Sequence, residues 1–281
     1  MIRTAVRCVS MYCCVPIWLC LSTASLGCGP GEQAPVRLCP AGVTSDPSVP
    51  VLHSPPADGF SAVGYLTHDV GDAYGNPSCG AILVHTRVAL TAVHCLERAL
   101  ITQGARVGFG LGEICGRVIP AVQLVPFSEP RDYSAPGKQN WDLAAVILSE
   151  PVVGVQPAGL ADAQTDCASV HVGYGRKVAG DSHVRAGYDG TRRSLPMCVS
   201  STSDGILASS SEGSPCFGDS GSPLLERGSG SVLGILSGFA APLAEVRCAP
   251  NEAVVYTSLD PRSERANFVR SVISAVERGT Y

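Results

Sequence analysis

Thr91-Ala92-Val93-His94-Cys95, Trp141-Asp142-Leu143-Ala144 and Gly218-Asp219-Ser220-Gly221 stand in that order along a chain of 281 residues. Each string carries one member of a His, Asp, Ser set, with about 50 and about 80 residues between them. This chain order is one of three that unrelated folds use to bring the same side chains together. A serine hydroxyl is a poor nucleophile until a base takes its proton. Histidine suits that task because its unperturbed pKa lies near neutrality. An aspartate can hold the imidazole in one tautomer and stabilise the imidazolium. Taken singly, each string is weak. A lone histidine is commonly structural, an aspartate after a tryptophan commonly a turn, and Gly-Asp-Ser-Gly a simple loop. Together and in order they mark Ser220 as nucleophile, His94 as base and Asp142 as the group that orients it.

The rest of the composition suits such a site. Hydrophobic residues make up 45% of the chain and charged residues only 16%, enough for a sizeable core. The 31 glycines and 21 prolines fit many turns and few helices. A net charge of −4 without a long basic run disfavours nucleic acid as a partner. Asp69, Asp72 and Asn76 could form a calcium loop, but they fit a solvated turn equally well, so no metal or other cofactor is expected.

Residues 1–27 read as an export signal. Arg3 and Arg7 precede an apolar stretch from Cys8 to Leu26, interrupted by Pro16 and ending in Ser25-Leu26-Gly27-Cys28. The ending resembles a bacterial lipoprotein signal, in which Cys28 would be lipidated, although Ser25 stands where leucine is usual. An ordinary cleaved signal is the alternative. A retained anchor fits less well, given the marginal length and the proline. Four of the 13 cysteines (Cys8, Cys13, Cys14, Cys20) would leave with the signal. If Cys28 carries lipid, the eight that remain suffice for four bridges, which implies an oxidising compartment outside the cytosol. Residues 28–56, with Gly29-Pro30-Gly31 and Pro55-Pro56, read as a tether or pro-segment.

From Phe60 onward, short apolar runs alternate with turn residues. Strands are expected at Ala81–Val84, Val88–Val93, Val118–Val125, Asp142–Leu148, Ala168–Val172, Val232–Phe239 and Ala253–Leu259. Near the end, Ala266, Val269, Val272, Ile273 and Val276 recur at steps of three and four, the pattern of an amphipathic helix. Asp260 is the expected N-cap and Pro261 suits the first turn. The apolar stripe would pack on the protein; a membrane-surface role lacks the basic polar face it needs.

On its three strings, the region from about residue 57 to residue 279 resembles the chymotrypsin/trypsin-like serine protease family. The resemblance implies an all-β fold: two packed six-stranded antiparallel Greek-key barrels (about 57–155 and 156–260) with a C-terminal α-helix (261–278). It implies hydrolysis of protein or peptide substrates through an acyl-enzyme. The backbone N–H groups of Gly218 and Ser220 would form the oxyanion hole. Ser237, in Leu236-Ser237-Gly238, matches a family serine that hydrogen-bonds the aspartate. The disulfides implied are Cys79–Cys95, Cys216–Cys248 and, over a shorter segment than usual, Cys167–Cys198. Cys39 and Cys115 are left over.

The family's specificity pocket maps onto Ser214, Phe239 and Val254. Ser214 stands six residues before the nucleophile, where an aspartate would be needed to neutralise a buried arginine or lysine of the substrate. Phe239 and Val254 replace glycines that make room for long side chains. Small or medium apolar residues at the cleaved bond are therefore expected.

One family feature is missing. Zymogens of this family are usually cut after a basic residue, and the new amino group pairs with the aspartate before the nucleophile, here Asp219. No Lys or Arg occurs between Arg37 and Arg87, and no Ile-Val-Gly-Gly stands near residues 47–53. Another protease could cut before Val49 or Val51, an internal group could pair with Asp219, or Asp219 could stay unpaired. The last case would make the protein a silent homologue that binds proteins through its cleft. An esterase with the same triad is a further alternative, though the Gly-x-Ser-x-Gly elbow is absent around Ser220.

Overall fold

The computed structural model describes residues 59–281 apart from 71–72, 102–105, 113–116, 129–138, 176–190, 202–204 and 241–247. The expected signal, the tether and Cys28, Cys39 and Cys115 lie outside the described residues. Among the described residues, no helix is long and apolar enough to cross a membrane.

Two closed barrels follow one another in the chain. The first holds β1 (Val63–Val70), β2 (Ala73–His85), β3 (Val88–Thr91), β4 (Val107–Leu111), β5 (Val118–Pro126) and β6 (Ala144–Leu148). Their order around the barrel is β1-β2-β3-β6-β5-β4, with β1 paired to both β2 and β4 to close it. The second repeats the plan with β7 (Ser169–Gly173), β8 (Arg193–Ser201), β9 (Ile206–Ser209), β10 (Pro223–Glu226), β11 (Val232–Phe239) and β12 (Val254–Ser258). Here the order is β10-β11-β12-β9-β8-β7, closed by β7 against β10. Every strand pairing is antiparallel, so the expected six-stranded Greek-key barrels are present.

Closure removes sheet edges and buries one face of each strand. In β8, Leu195, Met197 and Val199 are buried while Cys198 and Ser200 are exposed, the two-residue alternation of a half-buried strand. In β6 all five residues, Ala144 to Leu148, are buried, because this strand is covered on both faces. Part of that cover is the C-terminal helix α2 (Glu264–Glu277), whose Val269, Val272 and Val276 join the core of the first barrel. Phe268 meets Phe127 edge-on at 5.4 Å between ring centres.

The helix begins three residues later than its sequence pattern suggests. Ser263 is the N-cap, its hydroxyl accepting from the Ala266 N–H at 3.1 Å. Asp260 and Pro261 lie before the helix. The Asp260 carboxylate instead accepts from the Arg262 N–H at 2.8 Å and the Arg262 guanidinium at 3.1 Å, closing a tight turn that leads into the cap. A short helix, α1 (Glu97–Ile101), follows the turn that carries His94.

Candidate active site

His94 sits on a single 3-10 turn, Val93–Leu96, that leaves the end of β3. Val93, Cys95 and Leu96 are buried, which pins the turn to the core and turns His94 outward, its side chain 24% exposed. The disulfide Cys79–Cys95 ties the same turn to β2. Asp142 follows another 3-10 turn, Gln139–Trp141, just before β6, and is fully buried.

These two residues meet closely. His94 Nδ1 lies 2.6 Å from Asp142 Oδ2, and the His94 backbone N–H donates to Oδ1 at 3.1 Å. A carboxylate accepts only, so Nδ1 carries the proton of this bond. In the neutral ring, Nε2 is then the basic nitrogen. The Ser237 hydroxyl, from β11 of the second barrel, also donates to Asp142 Oδ2, at 2.8 Å.

The second barrel holds Asp142 from the other side as well. The Thr257 hydroxyl on β12 lies 2.8 Å from the Gln139 carbonyl and 3.1 Å from the Asp142 carbonyl. The Ser258 N–H donates to the Asn140 side chain at 2.8 Å. Thus the acid is supplied by one barrel and clamped by the other. Thr257 and Asn140 were not legible from the strings, because a single Thr or Asn carries no motif.

Ser220 lies on the turn between the Cys216–Cys248 disulfide and β10. The Gly80 N–H of β2 donates to the Ser220 carbonyl at 2.7 Å, and the disulfide sulfur of Cys95 lies 3.6 Å from that oxygen, in van der Waals contact. The next residue, Gly221, donates to the Leu236 carbonyl at 2.9 Å. Ser220 is therefore linked on one side to the neighbour of His94, and on the other to the residue before Ser237. A side chain on Gly221 would strike Thr91 and the Gly80 carbonyl, and its φ of +81° is a conformation glycine adopts freely. Gly218 has a φ of +96°, again in the region that favours glycine.

Asp219 is 7% exposed. Its N–H donates to the Cys216 carbonyl at 2.9 Å, and its carbonyl accepts from Ser222 at 2.8 Å. Its carboxylate accepts from the N–H groups of Gly175, at 2.7 Å, and Cys216, at 2.9 Å.

Of the residues expected to shape specificity, Ser214 and Val254 are buried and Phe239 is half-buried. Phe239 and Val254 are direct partners across β11 and β12. The rings of Phe217 and Phe239 meet edge-on at 6.2 Å. A third disulfide joins Cys167 to Cys198.

Cys79, His94 and Cys95 come close enough for their ligand atoms to share a metal ion. The two sulfurs are bonded to each other, however, and have no thiolate to offer. The side chains of Asp69, Asp72 and Asn76 lie outside the described part of the structure.

Two closed β-barrels, with a His-Asp pair whose aspartate is buried beside a Gly-Asp-Ser-Gly turn where they meet, are the architecture of a serine endopeptidase. The family model Trypsin matches residues 60–261, and the chain belongs to that family. Among curated proteins, none matches the chain.

Proposed function

We propose that this chain hydrolyses peptide bonds through an acyl-enzyme, with Ser220 as nucleophile, His94 as general base and then acid, and Asp142 as the orienting carboxylate. The carrying observation is the state of Asp142: fully buried, and bonded to His94 at 2.6 Å and to Ser237 at 2.8 Å. That arrangement fixes the proton on Nδ1 and leaves Nε2 to take the Ser220 proton. His94 returns it to the leaving amine, and a second round with water releases the acid. The N–H groups of Gly218 and Ser220 would receive the developing oxyanion.

The substrate side chain before the cleaved bond is proposed to be small or medium and apolar. Ser214 offers no counter-charge for a basic side chain, and Phe239 and Val254, with Phe217 against the former, add bulk. The three disulfides among the described residues suit an oxidising compartment and are consistent with an exported protein. Export through residues 1–27, with lipid on Cys28 or an ordinary cleavage, completes this reading, and residues 57–279 form the protease domain.

A serine-reactive fluorophosphonate tests the mechanism. It is expected to label Ser220, and Ser220→Ala is expected to abolish labelling and lower kcat by about a million-fold, as losing such a nucleophile does. Labelling that survives in Ser220→Ala overturns the assignment. A peptide-library profile dominated by cleavage after Arg or Lys overturns the specificity.

A further inference from the structure

With no basic residue at the usual activation site, the partner of Asp219 is sought within the fold, and the second barrel places His171 beside it. His171 lies on β7, two residues before Gly173. Its Nε2 sits 3.4 Å from Asp219 Oδ1. At that distance the two atoms face each other without forming a hydrogen bond. On the far side of the ring, Nδ1 lies 3.1 Å from the Tyr256 hydroxyl of β12. All three groups are closed off from water: the side chain of His171 is 4% exposed, that of Asp219 10%, and Tyr256 is fully buried.

The chemistry of this chain of contacts has a direction. Burial first, and the charge of Asp219 second, hold the Tyr256 phenol well above its usual pKa, so it keeps its proton. A protonated phenol donates to Nδ1, which leaves the ring proton on Nε2, facing the carboxylate. Asp219 Oδ1 thus receives the Gly175 N–H at 2.7 Å and faces a second N–H from the ring, while Oδ2 receives the Cys216 N–H at 2.9 Å. A side chain on Gly173 or Gly175 would collide with the carboxylate, so β7 and its exit are built closely around it. A buried carboxylate is costly unless its oxygens find partners, and here two backbone N–H groups and the facing His171 ring all come from the fold itself.

Asp219 stands between Gly218 and Ser220, the two residues whose N–H groups would hold the oxyanion. Whatever anchors its side chain sets the turn that aims both. We propose that His171, backed by Tyr256, is the positioning residue that anchors Asp219 from within the fold, so that the nucleophile turn is set without a newly cut amino terminus. This rests on the assignment of Ser220 as nucleophile.

The test uses the full chain. Acetylation at pH 6.5 blocks the α-amine (pKa about 7.7–8.0) ahead of lysine (about 10.4) and removes any terminal positive charge. Intact mass identifies uncut molecules. The uncut, acetylated chain is expected to react with fluorophosphonate at Ser220 within about twofold of the untreated rate. His171→Leu, which keeps bulk but removes the N–H, is expected to slow labelling at least tenfold, while His171→Gln, which restores a donor, stays within about threefold. A merely structural histidine would lower the melting temperature of both variants without this split. Labelling that requires a cut chain and is lost on acetylation overturns the proposal but leaves Ser220 as nucleophile. So does a His171→Leu chain that labels at the unmodified rate. If no form labels, cut or uncut, the peptidase assignment falls and this proposal with it.

Discussion

Two histidines in this molecule each face an aspartate, and the two encounters are built differently. His94 meets Asp142 at 2.6 Å with hydrogen-bond geometry, on a short turn at the barrel junction, and its side chain remains 24% exposed. His171 meets Asp219 at 3.4 Å, inside a strand, and is almost wholly buried. The difference lies at the opposite ring nitrogen. In His94, Asp142 holds Nδ1, and Nε2 is the nitrogen proposed to exchange a proton. In His171, Tyr256 occupies Nδ1 and Asp219 faces Nε2, so both nitrogens are committed to structure. The proposed chemistry uses the nitrogen of His94 that Asp142 does not hold; the proposed anchoring of Asp219 uses the nitrogen of His171 that Tyr256 does not hold.

The comparison breaks most visibly at Asp142. Asp142→Asn keeps the shape but offers an amide where a carboxylate held the tautomer, and kcat is expected to fall about 10,000-fold, as the corresponding change does in the family's reference enzyme. The melting temperature should shift far less than the rate suggests, because the Thr257 and Asn140 bonds to this segment use backbone and amide groups that survive. An activity loss below tenfold would mean that Asp142 does not orient His94. Ser237→Ala is the milder form of the same experiment. It removes one donor to a charged acceptor, a bond of about 1.5–3 kcal/mol. A fall in kcat of roughly 10-fold is expected with KM nearly unchanged, and an unchanged kcat would make the Ser237 contact incidental.

The His94–Asp142 contact was legible because each residue sits in a short string with its neighbours, and because the strings, with that of Ser220, keep their order. The amphipathic period of α2 was legible for a similar local reason. Strand β4 was not, since Val107-Gly108-Phe109-Gly110-Leu111 carries two glycines that weaken any propensity reading. In β8, Pro196 argues against a strand, yet it pairs with Val170 in the barrel, where β7 and β8 meet. The shorter runs of β9 and β10, four residues each, have too little length to show a period. His171 and Tyr256 were hidden for another reason. They lie 85 residues apart and meet only because β7 and β12 belong to one closed barrel. A contact made by closure leaves no local trace.

Tyr256 offers the finest way to sharpen the contrast, through alkaline pH. Its folded-state pKa lies well above the ordinary value of 10.0, because burial and then the Asp219 charge oppose the phenolate. The fold therefore favours the neutral phenol. That stabilisation is complete below about pH 10, the value of an unfolded tyrosine, and is lost as pH rises toward the folded-state pKa, because only the unfolded chain can then release the proton. Melting temperature measured between pH 8 and pH 11.5 should fall on the alkaline side in the unmodified chain. Tyr256→Phe should flatten that limb without erasing it, since Tyr174 is also held above its usual value by burial. At neutral pH the same variant leaves His171 Nδ1 without its donor, at a cost of about 1–3 kcal/mol. The part of the limb that Tyr256→Phe removes is the part that belongs to the buried pair. If Tyr256→Phe keeps the full alkaline limb, the phenol is not closed off with His171 and Asp219, and the two histidines are less different than their surroundings make them.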